Sequence, residues 1–308
     1  MTRAAVALAV LGWAFWPTLR ELFDTWVTHP EYSHGPLVPL FALYLLAKRK
    51  PPAVATPGRP WPVVGFAILT FAILLRLAGS ATSFLPLEGV AFVLCLTGLT
   101  ALAGGRAALV RFWPPLVFLL FMIPLPYEMS RLLGAQLQQV GTLATTYLLQ
   151  CLGQPALAEG NRILIGNVTL NVVEACSGLR MLMTFFAFST AAVFLMDRHW
   201  LVKVLVLASA VPIALVTNIL RITATGLAHV WLADGDDKTK VLSFIHDFNG
   251  WMMMPVGLLF LVLELWVFKH LLIERAAVSG QRSARPKTTP VPAARPKFVS
   301  VIQMPVGR

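Results

Sequence analysis

Three side chains on three separate apolar runs could together carry out acyl transfer: Cys176 in "NVVEACSGLRM", Arg221 in "TNILRIT" and His246 in "FIHDFNGW". A thiol is a nucleophile only as the thiolate, and its free pKa of about 8.5 falls at a helix N-terminus or beside Arg or a protonated His. Cys176 stands where a long apolar run begins, so it is expected at such an N-terminus. His246 can take the thiol proton and later return one to a leaving amine. Arg221 cannot lose its proton, and its guanidinium suits an oxyanion or a substrate carboxylate. The set reads as thioester-forming acyl transfer on a peptide carbonyl.

Other polar residues surround these three. Glu174 and Ser177 flank the thiol, and Asn218 precedes Arg221 at i,i+3 on one helix face. Asp247 and Asn249 follow His246, and a further polar stretch, "DTWVTHPEYSHG", carries Asp24, His29, Glu31, Tyr32, Ser33 and His34. Glu174, Ser177, Asn218, His34, Tyr32, Asp24 and Asn249 are therefore candidates for substrate contact or support, with His34 a second candidate base. Glu174 works against the chemistry, because a neighbouring carboxylate raises a thiol pKa. It is expected to face Arg221, Arg180 or the hairpin that precedes it. Each residue alone has a plainer reading. A membrane cysteine is usually a small apolar filler, as Cys95 and Cys151 are read. Arg at a span end can be a snorkelling anchor, and His246 a satisfied interface histidine.

These residues must be positioned by a membrane bundle. The chain of 308 residues is 57% hydrophobic and only 13% charged, whereas soluble domains carry about 25% charge. The net charge of +11 does not imply nucleic acid. The basic residues sit in short loops between apolar runs and in the C-terminal segment, the pattern of cytoplasmic loops. Three cysteines without CxxC or metal-ligand spacing predict no disulfide, no metal and no cofactor. The first apolar run continues to Arg20 without a small-residue cleavage site and reads as a retained anchor.

Eight runs have the composition of membrane spans: 4–20, 34–48, 61–79, 86–104, 109–126, 177–196, 200–222 and 250–272. The second is short and is expected to start a few residues earlier. The fifth, with Pro114, Pro115 and Pro124, is expected to be kinked or partly re-entrant. Lys48, Arg49, Lys50, Arg59, Arg106, Arg111, Arg198, Lys203 and the basic C-terminal residues then fall on one side, the cytoplasmic one, with both termini. The four polar groups fall together on the other side. Residues 127–152 read as an amphipathic helix, lying at the interface or inserted against the bundle. "RILIGNVTL" reads as a hairpin turning at Gly166-Asn167. The expected fold is thus an all-α membrane protein of eight spans with an amphipathic helix and a short β-hairpin on the outer face. Residues 1–273 form the membrane domain, and residues 274–308 a basic tail too polar to bury a core.

Three other readings compete. A transporter or channel would need polar residues to recur toward the inner face, where only Glu264 and Arg76 qualify. A thiol-disulfide oxidoreductase would need paired outer cysteines. A purely structural assembly protein would have no reason to cluster Cys, Arg and His. Glu264, deep in the last span, is expected to pair with Arg76 or a hydroxyl.

"EACSGLR" with Cys176, "NILRI" with Asn218 and Arg221, "HDFNG" with His246 and Gly250, and the early "YSHG", Tyr32 to Gly35, resemble the motifs of the exosortase/archaeosortase family in order and spacing. The likeness covers about residues 20–272. The resemblance implies a multi-pass cysteine transpeptidase of the bacterial inner membrane, in organisms that often make exopolysaccharide. Its substrates would be exported, membrane-anchored proteins with a C-terminal tripartite signal: a short Pro-Glu-Pro-like (PEP-CTERM) motif, a transmembrane helix and a basic cluster.

Overall fold

The computed structural model describes residues 2–48, 61–166, 168–172, 178–231, 252 and 255–270. The chain divides into two units, Met1–Leu265 and Trp266–Arg308. The second is described only over residues 266–270, a helical stretch in which His270 Nδ1 lies 2.9 Å from the Trp266 carbonyl oxygen. The expected tail at 274–308 lies outside the described residues. All that follows concerns the first unit.

The helices are α1 (Thr2–Ala14), α2 (Trp16–Thr28), α3 (Leu37–Lys48), α4 (Pro62–Thr82), α5 (Leu85–Phe118), α6 (Tyr127–Cys151), α7 (Gly178–Leu195) and α8 (Trp200–Trp231). A last one, α9, is described over residues 255–270. Single 3-10 turns occupy Pro30–Tyr32 and Leu119–Met122. Among the described residues, four helices are long and apolar enough to cross a membrane, or five if the bent pair α1 and α2 counts as one.

The first expected span is in fact this pair, bent by 69° at Phe15 and continued to Thr28. Pro17 sits in the first turn of α2 and cannot donate a helical N–H. The carbonyl of Ala14, at the break, accepts a hydrogen bond from the Arg76 guanidinium, which also stacks 4.2 Å from the Phe15 ring. Arg76 is therefore engaged here rather than with Glu264. Helix α3 starts at Leu37, later than expected, because Gly35 and Pro36 hold the chain in a turn after the 3-10 segment.

Helices α4 and α5 approach closely through glycine. A Cβ on Gly65 would stand 3.2 Å from the Gly98 carbonyl oxygen, and one on Gly98 3.2 Å from that of Gly65. In lipid, where the hydrophobic effect does not press helices together, such close backbone packing is the main attraction.

Helix α5 folds back on itself. Gly105 has φ 58° and ψ −147°, a region open only to glycine. A Cβ on Gly89 would lie 2.9 Å from Ile123 Cγ1, although a straight helix would separate these residues by about 51 Å. The arms before and after Gly105 thus run antiparallel. Pro114 and Pro115 do not break the second arm, which continues through both to Phe118. Neighbouring helices can accommodate the backbone groups that proline frees inside a membrane bundle. Leu22, Val38, Ala42, Leu45, Val93, Phe118, Met122, Ile123 and Ala191 form the buried cluster that joins these arms to α2, α3 and α7.

The amphipathic stretch is α6, inserted against α7 and α8. Its inward face is small and polar: Gly141, Thr142, Thr145 and Thr146 are buried, while Leu132, Leu143 and Tyr147 are exposed. A helix lying on the interface would turn its polar side to water.

The hairpin is larger than expected. Three strands, β1 (Ala156–Glu159), β2 (Arg162–Ile165) and β3 (Val168–Asn171), pair antiparallel in that order. Gly160, at φ 60°, opens the first two-residue turn as Gly166, at φ 57°, opens the second. Gly160-Asn161 repeats the Gly-Asn signal of the second turn. The sheet packs Ile163, Ile165 and Leu170 against Leu149 of α6 and Ile222 of α8. The 32 residues of α8 span about 48 Å, more than the about 30 Å of a hydrocarbon core, and continue past the expected span 200–222 to Trp231. That extension, which the expected span 200–222 lacks, carries the sheet: a Cβ on Gly226 would lie 3.1 Å from Ile165 Cδ1.

Candidate functional site

Helices α7 and α8 form an antiparallel hairpin turning at residues 196–199, with Met181, Phe185, Ala210 and Ala214 as its buried seam. Equal helix lengths on either side of the turn bring Gly178 opposite Asn218. A Cβ on Gly178 would lie 3.2 Å from Asn218 Nδ2 and 3.2 Å from Leu137 Cβ of α6. The same Nδ2 lies 3.5 Å from where a Cβ on Gly141 would stand. The amide of Asn218 is therefore wedged between α6 and the first residue of α7, two positions after Cys176. It is 2% exposed, and its Oδ1 has no hydrogen-bond partner among the described residues.

Arg221, one turn further along α8, is 5% exposed. A snorkelling anchor would hold its guanidinium outside the protein, so burial removes that reading. Arg180 of α7 lies within electrostatic range of both Arg221 and Glu31.

The early polar stretch reaches the same end of the bundle. The 3-10 turn Pro30–Tyr32 packs on α7. Trp26 donates its indole N–H to the Met122 carbonyl at 2.8 Å, and its ring lies against Gly35, leaving no room for a side chain there. The Tyr32 hydroxyl accepts from the Leu125 N–H at 3.2 Å and is hydrogen-bonded to Ser130 Oγ at 2.9 Å. Tyr32 therefore ties this stretch to the start of α6. His34 is 6% exposed. The backbone of Glu31 and Phe121 lies near its ring, yet neither ring nitrogen makes a well-aligned hydrogen bond among the described residues. Asp24 is exposed on α2, where its carbonyl accepts the Thr28 hydroxyl at 2.7 Å.

The segment holding the thiol is fixed at both edges. On the near side, Val172 is fully buried in the sheet core and its N–H bonds the Asn161 carbonyl at 3.1 Å. Asn161 Nδ2 in turn donates to Gln138 Oε1 of α6 at 3.1 Å. On the far side stands Gly178 against Asn218. Glu174, Cys176, Ser177, His246 and Asn249 lie outside the described residues. Among those described, the structure thus sets Asn218 against the start of α7, with Arg221 buried one turn further along α8, and packs the turn that carries Tyr32 on α7. It adds two residues not singled out for chemistry, Arg180 and Glu31. Arg180 was visible as the last letter of "EACSGLR", but nothing in the sequence placed it beside Arg221.

The opposite end of the bundle holds the turn at Gly105 with Arg106, and the 196–199 turn with Arg198. The Trp113 and Phe194 rings, 5.4 Å apart, join these two hairpins. Glu264 of α9 accepts a hydrogen bond from Ser209 Oγ of α8 at 2.7 Å, the hydroxyl alternative for its partner. No group of three or more His, Cys, Asp or Glu that could hold a metal occurs among the described residues.

No match to the chain was found among curated proteins or among solved structures. The family model for transmembrane exosortase (Exosortase_EpsH) matches residues 26–263, from the tryptophan that packs on Gly35 to the residue before Glu264. With that match over most of its length, the chain belongs to the transmembrane exosortase family.

Proposed function

We propose that the protein is a membrane-embedded cysteine transpeptidase that cleaves C-terminal PEP-CTERM-like sorting signals of exported proteins. The observation that carries this reading is the packing of Asn218 on Gly178 in a chain of this family. It sets the N-x-x-R turn of α8 beside the residue that closes the E-A-C-S-G motif. Cys176 as thiolate attacks the scissile carbonyl, and Arg221 stabilises the oxyanion. The carbon–nitrogen bond breaks as His246 gives its proton to the leaving amine, leaving a thioester on Cys176. A second nucleophile then resolves the thioester. Tyr32, Asp24, His34, Glu174, Ser177, Asn218 and Asn249 support the site or contact the substrate.

Eight passes follow if α1 with α2, α3, α4, each arm of α5, α7, α8 and α9 each cross once. The reversal at Gly105 supports that count. The basic turns at Arg106 and Arg198 would face the cytoplasm with both termini, placing the site on the outer face of the inner membrane. Residues 1–273 would be the membrane domain and 274–308 a basic cytoplasmic tail.

Co-expression with a substrate bearing a Pro-Glu-Pro-like motif, a transmembrane helix and a basic cluster tests this. Wild type should shorten the substrate and Cys176→Ala should not. Equal processing by both would end the cysteine reading.

A further inference from the structure

The two edges of the small sheet differ. Along a strand, successive residues turn their backbone N–H and C=O groups to opposite edges. Val172, just past β3, bonds its N–H to the Asn161 carbonyl at 3.1 Å, continuing the β2–β3 ladder. Val168 and Leu170 therefore also face β2, and Thr169 and Asn171 turn their backbone groups outward. The outer edge of β1 is covered. The Ala156 carbonyl accepts Gln150 Nε2 of α6 at 2.8 Å, its N–H bonds the Gln154 carbonyl at 2.9 Å, and β1 packs along α6. On β3, Thr169 is exposed and Asn171 half-buried, and their backbone groups make no hydrogen bond among the described residues. The same strand leads to the nucleophile, since Cys176 follows Asn171 by five residues.

An open strand edge is a template for another extended chain, held by main-chain hydrogen bonds. We propose that β3 binds the Pro-Glu-Pro-like motif of the substrate as a fourth strand, through the backbone groups of Thr169 and Asn171. Proline has no N–H and fits a strand only where that position points away from the ladder. Prolines two residues apart both point away from β3 when the glutamate between them points toward it. The glutamate N–H and C=O then bond β3, while the outer edge of the added strand lacks donors at both prolines and recruits no fifth strand. The motif rests on the transpeptidase reading; the pairing of an extended segment with β3 does not.

The test uses the full-length protein in lipid nanodiscs, with Cys176→Ala so that no cleavage intervenes. Rhodamine-labelled Gly-Ala-Pro-Glu-Pro-Ala-Gly is the probe, and anisotropy reads binding. A methyl on the glutamate nitrogen should weaken binding about tenfold or more, through one lost hydrogen bond and a methyl set against the strand. N-methylalanine in place of both prolines points its methyls away from β3 and should change binding little. On the protein, Thr169→Pro removes the outward N–H but leaves the β2–β3 ladder, and should weaken the unmethylated probe as much. Thr169→Ala keeps the N–H and should weaken it far less. Absent binding of the unmethylated probe, or equal binding of the N-methylglutamate probe, overturns the pairing. Cysteine-dependent cleavage of the signal substrate alongside either result leaves the transpeptidase reading standing. The expected methylation pattern in a protein whose wild type leaves that substrate uncut sinks the transpeptidase reading and keeps β3 as a peptide site.

Discussion

The side-chain amide of Asn218 lies against the α-carbon of Gly178, so closely that a methyl group there would come within 3.2 Å of Nδ2. One residue begins the N-x-x-R turn and the other ends the cysteine motif. Gly178→Ala should push Asn218 and the Arg221 turn away from the start of α7. The variant should insert normally and lose about 1–3 kcal/mol of stability, the range for overpacking. Its cleavage rate should fall much further than that loss explains. Thermal unfolding in detergent and cleavage in co-expression, measured together, check this; normal cleavage would make the contact mere packing.

Cys176→Ser should be as inactive as Cys176→Ala, because a serine hydroxyl is not ionised by surroundings that ionise a thiol. Anti-substrate immunoblots read the outcome. Serine retaining substantial rate would mean that the site activates its nucleophile through a strong base rather than through a lowered pKa.

Arg221→Lys should lower the rate roughly 10²-fold, as expected when one oxyanion donor is lost. Lysine keeps the charge but not the planar fork. Full activity would assign Arg221 a charge role only. In parallel, His246→Ala should lower the turnover rate rather than substrate affinity. A change in affinity alone would move the base to His34, the buried histidine whose ring nitrogens lack well-aligned partners among the described residues.

Gly105→Ala should cost about 1–3 kcal/mol, because φ 58° with ψ −147° is a conformation that a side chain opposes. Denaturant titration in micelles measures it. An unchanged midpoint would show that the α5 arms can reverse through another residue.

Orientation has its own test. In a background with Cys95, Cys151 and Cys176 replaced by serine, a cysteine at Gly160 should react with a membrane-impermeant maleimide from outside. A cysteine at Ala107 should react only after permeabilisation. The reverse pattern would invert the proposed topology.

The long apolar runs were legible in the sequence because a membrane span is a local property, a count of apolar residues against a hydrocarbon thickness. The runs at 61–79, 86–104, 109–126 and 177–196 reappear as α4, the two arms of α5 and α7, and the period of 127–152 reappears as α6. Gly-Asn marks the second turn of the sheet, and the same pair at Gly160-Asn161 marks the first. The bend at Phe15 was less legible, since Pro17 permits a helix start as readily as a break.

Residue types and their order were enough to indicate which side chains could do acyl transfer, because nucleophile, base and oxyanion donor are chemical identities. Tertiary packing decided which of the described groups meet. That Tyr32 ties a loop to Ser130, that α6 turns its threonines inward, that Asn218 lies against Gly178 and that Arg221 is buried all depend on contacts between residues far apart in the chain. Hydropathy sums over neighbours along the backbone, whereas these contacts are set by how helices of matched length fold back and press glycine against asparagine.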